Sequence, residues 1–209
     1  MTRAPAGTGC EVATFRAIGA VCEAIVELLR DDYDPADFPS HDLEFRVVDV
    51  AREEPRITAG VSLFLYRVLV DGTARAPAGR RFPDGRQDRH QLPLDLHLLL
   101  TPWGGEPSLQ QLLAGWMMRT LEDHPVLPAG LLNRSTPGVF RPDETVELGV
   151  GELATEDLFQ IWDVVGHDSY QLSVPYVARG VRIESRLPID EGEPVQERVR
   201  TYRRSGEPA

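Results

Sequence analysis

The sequence contains no lysine, so every basic side chain in it is an arginine. The 22 arginines are outnumbered by 33 aspartates and glutamates, which gives a formal net charge of −11 at pH 7. A protein with this excess of negative charge repels phosphates and lacks the basic surface that broad nucleic-acid affinity requires. We therefore expect no nucleic-acid partner.

Cysteine is also scarce, with only Cys10 and Cys22 in the chain. The surrounding pattern predicts that both lie in one helix, whose rise would separate their Cα atoms by about 18 Å. A disulfide needs Cα atoms about 4.4–6.8 Å apart. We expect two free thiols in a reducing compartment.

Long apolar runs are missing as well. The first residues, MTRAPAGTGC, contain no apolar segment of the kind that secretion signals carry. No uninterrupted apolar run approaches the ~20 residues of a membrane span. These features predict a soluble, cytoplasmic protein that is not exported by the Sec pathway.

The apolar material that is present suffices for one core, because hydrophobic residues make up 42% of the 209 positions. This length suits a single domain, which we assign to residues 10–184. Residues 185–209 are charged and weakly apolar. Such a composition predicts a disordered C-terminal tail.

Three segments have the apolar periodicity of helices. The first covers residues 10–30 and places Phe15 on its apolar stripe. The second has Ser108 as the N-cap of a capping box, with Leu112 on its stripe. The third begins at Thr155, and the residues that it is expected to bury are Leu158, Ile161, Trp162 and Val165.

Five segments have the composition typical of strands, namely residues 43–50, 61–70, 92–100, 144–150 and 171–183. Apolar residues on both faces of 61–70 predict a central strand, with Val68 and Val70 on the face opposite Leu63. Pro175 cannot donate to a ladder, which predicts an edge or a bulge for the last strand. The element order predicts an α+β fold, with a mixed, mostly antiparallel sheet and helices packed on a face.

A long loop at residues 73–91 is locally basic in an acidic protein. Loops of this length are usually functional or disordered. The loop contains Arg75, Arg80, Arg81, Arg86 and Arg89, together with Asp84 and Asp88. It is either a solvated connector or an arm that docks on an acidic surface, which an identical copy of the chain would supply. Binding to single-stranded nucleic acid would need interleaved aromatic residues, and Phe82 is the only one there.

Asp95 and His97 lie two positions apart on one strand face, a spacing that suits two ligands of one metal ion. A third ligand would have to come from His90, His124 or Asp123. A metal-dependent hydrolase that uses Asp95, His97 and His124 is therefore an alternative function. The other interpretation is a polar strand face whose charges pair with neighbouring arginines.

His167, Asp168 and Ser169 are the residue types of a hydrolase triad. Because they are consecutive, their side chains diverge and cannot form a relay. They predict a loop after a helix and no catalytic residue.

Four segments of this sequence resemble a known family. They are GVSLFLYRVLVDGT, LPLDLHLLLTPWGGE, LLAGWMMRTLEDHPVL and ELATEDLFQIWDVVGHDSYQLSVPYVARGVRIE. In this order, from Glu11 to Glu184, they resemble the cap (tail-terminator) proteins of extracellular contractile injection systems, phage-tail-like particles of the antifeeding-prophage type. Members of that family commonly have Asn in place of Ser62 and Ala in place of Pro175.

The resemblance implies a tail-terminator-like fold and a structural role without enzymatic activity, cofactor, metal or small-molecule substrate. Such proteins form a hexameric ring that closes the end of the inner tube and sheath of a particle assembled in the cytoplasm. A ring needs a head-to-tail interface between copies of the chain. The acidic segment Asp31–Asp37 would be one of the partners in that interface. The other residues that we assign to this interface are Arg75, Arg80, Arg81, Arg86, Arg89, Asp95 and His97. The remaining alternative is an adaptor that loads cargo or contacts a membrane.

Overall fold

The computed structural model describes residues 14–39, 41–49, 57–74, 90–165 and 170–185. These residues form α1 (Ala17–Asp32), β1 (Glu44–Val48), β2 (Gly60–Val70), β3 (Gln91–Trp103), α2 (Pro107–Asp123), β4 (Val126–Pro128), α3 (Ala129–Leu132), β5 (Thr145–Val150), α4 (Thr155–Val165) and β6 (Val174–Glu184). The predicted tail after residue 185 and most of the arginine-rich loop lie outside the described residues.

The strands form one sheet in the order β1-β2-β3-β6-β5-β4. The pairing of β1 with β2 is parallel, and the other four pairings are antiparallel. The predicted mixed, mostly antiparallel sheet is therefore confirmed, although the first two strands do not form a hairpin. Their connector, residues 49–59, is long enough to return the chain to the start of β1, where Glu44 pairs with Gly60.

The main core lies between one face of the sheet and the helices α1, α2 and α3. On the sheet side it is formed by Leu94, Leu96, Leu98 and Leu100 of β3 with neighbours on β2, β5 and β6. The helices contribute Val21, Ile25, Leu29, Leu113, Met117 and Leu121, all of which are almost completely buried. We call this side of the sheet the helical face and the other side the second face.

The strand β2 changes phase at a bulge. Leu65 pairs with Leu98, whereas Arg67 pairs with His97, so Tyr66 is an extra residue on β2. After the bulge, Val68 is opposite Leu96 on the helical face. The assignment of Val68 and Val70 to the face opposite Leu63 is therefore wrong, because a single inserted residue inverts the alternation.

Two predicted helix starts are also wrong. The helix α1 begins at Ala17, and Phe15 lies in the turn before it with 62% of its surface exposed. The helix α2 begins at Pro107 after the N-cap Glu106, not at Ser108. Proline suits the first helical position because its fixed φ is helical and no hydrogen bond is lost there.

The predicted stripe of α2 has one misplaced residue. Leu112 was expected to be buried, but 53% of its surface is exposed. Leu109, Leu113, Trp116, Met117 and Leu121 of the same stripe are buried as predicted. Leu112 lies at the margin of the stripe, where the sheet no longer covers the helix.

The last strand, β6, is internal in the sheet, so the expectation that Pro175 marks an edge is wrong. The Pro175 carbonyl accepts a hydrogen bond from the Gly151 amide at 2.9 Å, on the side of β5. Because the pairing of β5 ends at Val150 and Tyr176, the missing N–H of Pro175 costs no ladder bond. The bulge in β6 lies instead at Gly180, whose φ is +82°.

Candidate assembly surface

The five arginines predicted to form a docking arm, Arg75, Arg80, Arg81, Arg86 and Arg89, lie outside the described residues. The structure shows how the segment that contains them is attached. Where it leaves β2, the Asp71 carboxylate accepts hydrogen bonds from the Thr73 amide at 2.8 Å and the Thr73 hydroxyl at 2.7 Å. These bonds stabilise the turn and lower the pKa of Asp71.

The other end of the segment meets the end of β6. The Ser185 amide donates a hydrogen bond to the His90 carbonyl at 2.8 Å. The residues that precede His90 and those that follow Ser185 are therefore attached next to each other at one end of the sheet. Both predicted segments, the arginine-rich loop and the charged tail, have their attachment points there.

Asp95 and His97 lie together on the second face of the sheet, as their spacing predicts. His97 is opposite Arg67 on β2, and its ring contacts the Tyr66 ring edge-on at 5.9 Å between centroids. Because of the bulge, both Tyr66 and Arg67 lie next to His97. On the other side, Asp95 lies opposite the bulge of β6.

The electrostatics of this polar cluster favour a neutral histidine. Partial burial lowers the pKa of His97, and the nearby positive charges of Arg67 and Arg179 lower it further, whereas Asp95 opposes the shift. Among the described residues, Asp95 takes part in no ion pair within 4.0 Å, so the expected pairing with neighbouring arginines is looser than a direct salt bridge.

The alternative site of Asp95, His97 and His124 is wrong, because the sheet separates its members. His124 caps the end of α2 on the helical side, where its Nδ1 lies 2.9 Å from the Thr120 carbonyl oxygen. Asp95 and His97 lie on the second face. Within the described ranges, no group of three or more His, Cys, Asp or Glu side chains is arranged to hold a metal ion.

The acidic segment Asp31–Asp37 makes several contacts within its own chain. Asp31 forms an ion pair with Arg134, and Asp32 accepts a hydrogen bond from the Thr120 hydroxyl at 2.6 Å. Asp34 accepts one from the Ala36 amide at 2.8 Å. These contacts fix α1 to α2 and to the segment after α3, so part of this acidic charge is already used internally.

The helix α4 lies on the second face and was predicted only as a packing element. Trp162 is buried, and its ring contacts Trp103 at 6.2 Å and Tyr170 at 6.3 Å between centroids. Trp103 is itself fixed by a hydrogen bond from its Nε1 to Ser62 Oγ at 2.8 Å. The prediction that Trp162 is buried is confirmed, whereas Leu158 and Ile161 are only half-buried.

The outer side of α4 carries exposed apolar residues that the sequence analysis does not single out. Phe159 and Val164 are 49% and 76% exposed, although they belong to an amphipathic helix. Around them the helix has Glu156, Asp157 and Asp163 and no basic residue. A helical projection of TEDLFQIWDVV places Phe159 and Val164 outside the stripe that contains Trp162, one on each side of it.

An open groove of about 450 Å³ lies on another part of the molecule, between the start of α2 and the residues before β2. Leu109 and Leu112 form its apolar wall, and His41 and Glu106 are its ionisable residues. Its openness and the exposed Leu112 are typical of a surface depression between packed elements, and the polar cluster around His97 does not contribute to it.

The sequence matches the model of the Pvc16 N-terminal domain over residues 20–197. The chain belongs to the Pvc16 N-terminal domain family. No curated protein matches it. None of the helices in the described part of this Pvc16 N-terminal domain has the length and apolar character needed to cross a lipid bilayer.

Two cryo-EM structures resemble this Pvc16 N-terminal domain. One is the PVC sheath/tube terminator of an extracellular contractile injection system in the extended state. It has a TM-score of 0.58 and 20% identity, over 92% of this chain and 65% of that one. The other is the tube-terminating cap of the anti-feeding prophage, with a TM-score of 0.58 and 17% identity over 87% of this chain and 60% of that one.

The chain spans 65% and 60% of these two longer proteins. At these identities the likeness establishes the fold, which confirms the predicted α+β, tail-terminator-like architecture. Together with the family match, it confirms the resemblance to contractile-injection caps that the sequence segments indicate.

Proposed function

We propose that this chain is the part of a cap that terminates the inner tube and sheath of a contractile injection particle. It acts through its shape and its surfaces, not as an enzyme. The observation that carries the proposal is the match to the Pvc16 N-terminal domain over residues 20–197. The shared fold with a sheath/tube terminator and a tube-terminating cap supports the same role.

The cap would consist of a ring of copies, which we propose to be a hexamer, assembled in the cytoplasm on the end of the particle. Closed rings with rotational symmetry require two different, complementary patches on each subunit. We assign to the subunit or partner interface the arginines of the β2–β3 loop and the polar cluster on the second face. The residues are Arg75, Arg80, Arg81, Arg86, Arg89, Asp95 and His97.

The geometry of the second face supports this assignment. Arg67 and Arg179 are exposed beside Asp95 and His97, which are half-buried. These side chains are therefore available to a partner without unfolding of the domain. Charges of both signs in one patch favour a partner that has both signs too, such as a neighbouring subunit.

The proposal is tested by determining where on the particles the protein is located. Particles produced with and without it are compared by electron microscopy, with the protein labelled by a tagged antibody. We expect the label at one end of each particle, and tubes of irregular length when the protein is absent. Label along the whole sheath, or tubes of normal length without the protein, would refute the proposed role.

The assignment of the arginine loop has a test of its own. Reversing the charge with Arg80→Glu and Arg81→Glu should weaken ring formation, as measured by native mass spectrometry. The matched control is Arg119→Glu with Arg182→Glu, which changes the net charge equally at two exposed positions on α2 and β6. Rings that form equally well in both variants would exclude the loop from the interface.

A further inference from the structure

The helix α4 covers only one end of the second face of the sheet. It packs there through the contact of Trp162 with Trp103, the last residue of β3. A helix of 11 residues is about 17 Å long. The 13 residues of β3 extend for about 44 Å. The part of the second face around Asp95 therefore lies beyond α4.

This uncovered part of the second face carries the polar cluster. Arg67 on β2 and Arg179 on β6 lie on either side of β3, and the side chains of both arginines are exposed. Among the described residues, neither arginine takes part in an ion pair within 4.0 Å, although Glu147 is the cross-strand neighbour of Arg179. Both guanidinium groups can therefore bind the carboxylates of another molecule.

An exposed side of α4 has the opposite charge. Glu156, Phe159 and Asp163 are exposed and lie within about 60° of one another around the helix axis. The Phe159 ring contacts the Tyr170 ring at 5.3 Å between centroids, and both rings are 49% exposed. We call these four residues, Glu156, Phe159, Asp163 and Tyr170, the acidic α4 surface. Val164 lies on another side of the helix and is not part of it.

The acidic α4 surface and the polar cluster are on the same side of the sheet, but they are far apart within one chain. Trp103, which α4 contacts, is eight residues from Asp95 along β3, a distance of about 27 Å. In the part of the chain that the structure describes, no ion pair within 4.0 Å joins Glu156 or Asp163 to an arginine. Each surface is therefore open to a second molecule.

The arrangement of the two surfaces on one face is self-complementary. Two copies can face each other across a two-fold axis that is parallel to the sheet and perpendicular to β3. In that arrangement, α4 of each copy lies over the uncovered part of the other copy, and the two helices lie side by side between the two sheets. An interface that uses the same face of both copies is isologous and closes at two subunits.

We propose that the chain forms a two-fold dimer in which the acidic α4 surface of each copy binds the polar cluster of the other. The two arginines of the cluster pair with the two carboxylates of α4. Phe159 packs against Leu69, the half-buried residue opposite Asp95 on the second face. Arginine suits this contact because its guanidinium group binds carboxylates and stacks on aromatic rings.

The dimer covers Asp95 and His97, which the proposed function assigns to the interface of the ring. A copy therefore cannot use this face for the dimer and for the ring at the same time. The dimer is a resting form that dissociates when copies assemble on a particle. Only this consequence rests on the proposed function, and the dimer itself does not.

The first test is self-association of the full protein, measured by sedimentation velocity. We expect a dimer as the smallest associated species of the wild type. The α4 variant, Glu156→Arg with Asp163→Arg, should raise the dissociation constant of the dimer by about tenfold or more, because like charges then face each other. The cluster variant, Arg67→Glu with Arg179→Glu, should do the same.

The matched controls make the same charge changes at exposed positions elsewhere on the chain. They are Glu122→Arg with Asp123→Arg, and Arg16→Glu with Arg119→Glu. Both controls should dimerise as the wild type does, and thermal unfolding checks that every variant is folded. Controls that weaken the dimer as much as the two test variants would overturn the proposal.

Mixing the two weakened variants shows whether the two surfaces meet directly. Neither variant can pair with itself, because its α4 surface and its polar cluster then have the same sign of charge. In an equimolar mixture, both contacts of a mixed dimer join opposite charges again. The mixture should therefore dimerise about as tightly as the wild type, whereas a mixture that stays monomeric would overturn the proposal.

A crosslinking experiment tests the two-fold symmetry without relying on charge. In a Cys10→Ser background, one chain carries both Phe159→Cys and Leu69→Cys and is treated with a short bismaleimide. Two-fold symmetry closes both links within one dimer, so a denaturing gel should show dimers and no larger products. A ladder of larger products would indicate a head-to-tail contact and would overturn the dimer. With Leu112→Cys as the exposed control in place of Phe159→Cys, little product is expected.

Particle labelling separates this dimer from the proposed function. The α4 variant keeps Asp95 and His97, so it should still mark particle ends although it no longer dimerises. Loss of both properties would mean that α4 takes part in the particle contact, and the resting form would be wrong. If the wild type marks particle ends but forms no dimer, the dimer is wrong and the capping role stands. If it dimerises but does not mark particle ends, the capping role is wrong and the dimer stands.

Discussion

Gln91 donates a hydrogen bond from its side-chain amide to the carboxylate of Glu184 at 2.6 Å, although 93 positions separate them in the sequence. Arg141 also donates to the same carboxylate oxygen. The Glu184 side chain is only 3% exposed, so its charge depends on these two donors. This small network joins the start of β3, the end of β6 and the segment before β5.

Glu184→Ala should destabilise the protein by about 2–3 kcal/mol. The substitution leaves the Arg141 guanidinium and the Gln91 amide without their shared acceptor. Because Arg141 is 33% exposed, water compensates part of the loss. Urea unfolding measures the effect.

The matched control for this prediction is Glu44→Ala. Glu44 pairs with Arg46 at 3.1 Å, but its own side chain is 51% exposed. Such surface pairs contribute ~0–1 kcal/mol. Equal losses for the two variants would contradict the importance of the buried network.

Gly60→Ala should cost at least ~2 kcal/mol. Gly60 has a φ of +139°, and a Cβ atom at this position would overlap the carbonyl oxygen of Glu44 on β1. The added methyl group would force β1 away from β2, where these two residues pair. Thermal or urea unfolding of the variant provides the measurement.

Gly115→Ala is the opposite case and the control. Gly115 lies inside α2, and a Cβ there would meet no atom within 4 Å. Alanine should therefore stabilise the protein by ~0.5–1 kcal/mol through its higher helix propensity. A stabilising effect of both glycine substitutions would show that the close approach at Gly60 is not real.

The parts of the fold that the sequence predicts are those governed by local periodicity. The stripe through Cys22, Ile25 and Leu29 specifies α1, and the leucines of β3 specify the helical face of the sheet. In both cases one face of the element is buried in the same core, so hydrophobic spacing and structure agree. The α+β class follows from these elements and their order.

The parts that the sequence does not predict depend on single residues or on distant partners. One inserted residue at Tyr66 inverts the faces of β2, and no composition signal marks it. The internal position of β6 follows from long-range pairing with β3 and β5, which Pro175 alone does not reveal. Strand pairing between distant segments is the least local property of a fold.

The candidate surface shows the same division. The juxtaposition of Asp95 and His97 follows from alternation within one strand, and the structure reproduces it. The prediction that His124 joins them is wrong, because α2 covers the other face of the sheet. Which face a helix covers cannot be read from the sequence of the helix alone. The half-burial of Leu158 and Ile161 depends on how little of α4 the rest of the domain covers, which local sequence does not encode.

Cys22 should be unreactive toward thiol reagents in the folded protein. It is a buried free thiol in α1. Burial raises the pKa of Cys22 to about 12, and the neighbouring Glu23 contributes to the rise. Since the thiolate is the reactive form, both access and ionisation are suppressed at pH 8.

The measurement uses the Cys10→Ser variant, in which Cys22 is the only cysteine. An aromatic disulfide reagent should give almost no colour with the native protein and one equivalent after addition of urea. Fast labelling of the native protein would contradict the packing of α1 against the sheet.

The unfolding free energy should decrease as the pH falls below about 6.5, in part because of His97. Its pKa in the folded protein is lowered from the ordinary value of 6.5 by burial and by Arg67. Above pH 6.5 the His97 imidazole is neutral in both the folded and the unfolded state, so it does not change the unfolding free energy. On acidification the unfolded chain binds the proton first, so the folded state loses stability until the folded pKa is passed.

The His97 ring can be followed directly by NMR titration of its Cε1 proton. We expect a midpoint below 6.5 in the wild-type protein and a higher midpoint in Arg67→Gln, because a positive charge that opposes protonation has been removed. Correspondingly, the stability difference between the wild type and His97→Gln should change less between pH 7.5 and pH 5.5 when Arg67 is also replaced. A wild-type midpoint at or above 6.5 would mean that His97 is neither buried nor close to Arg67, and that the polar cluster on the second face is not formed as described.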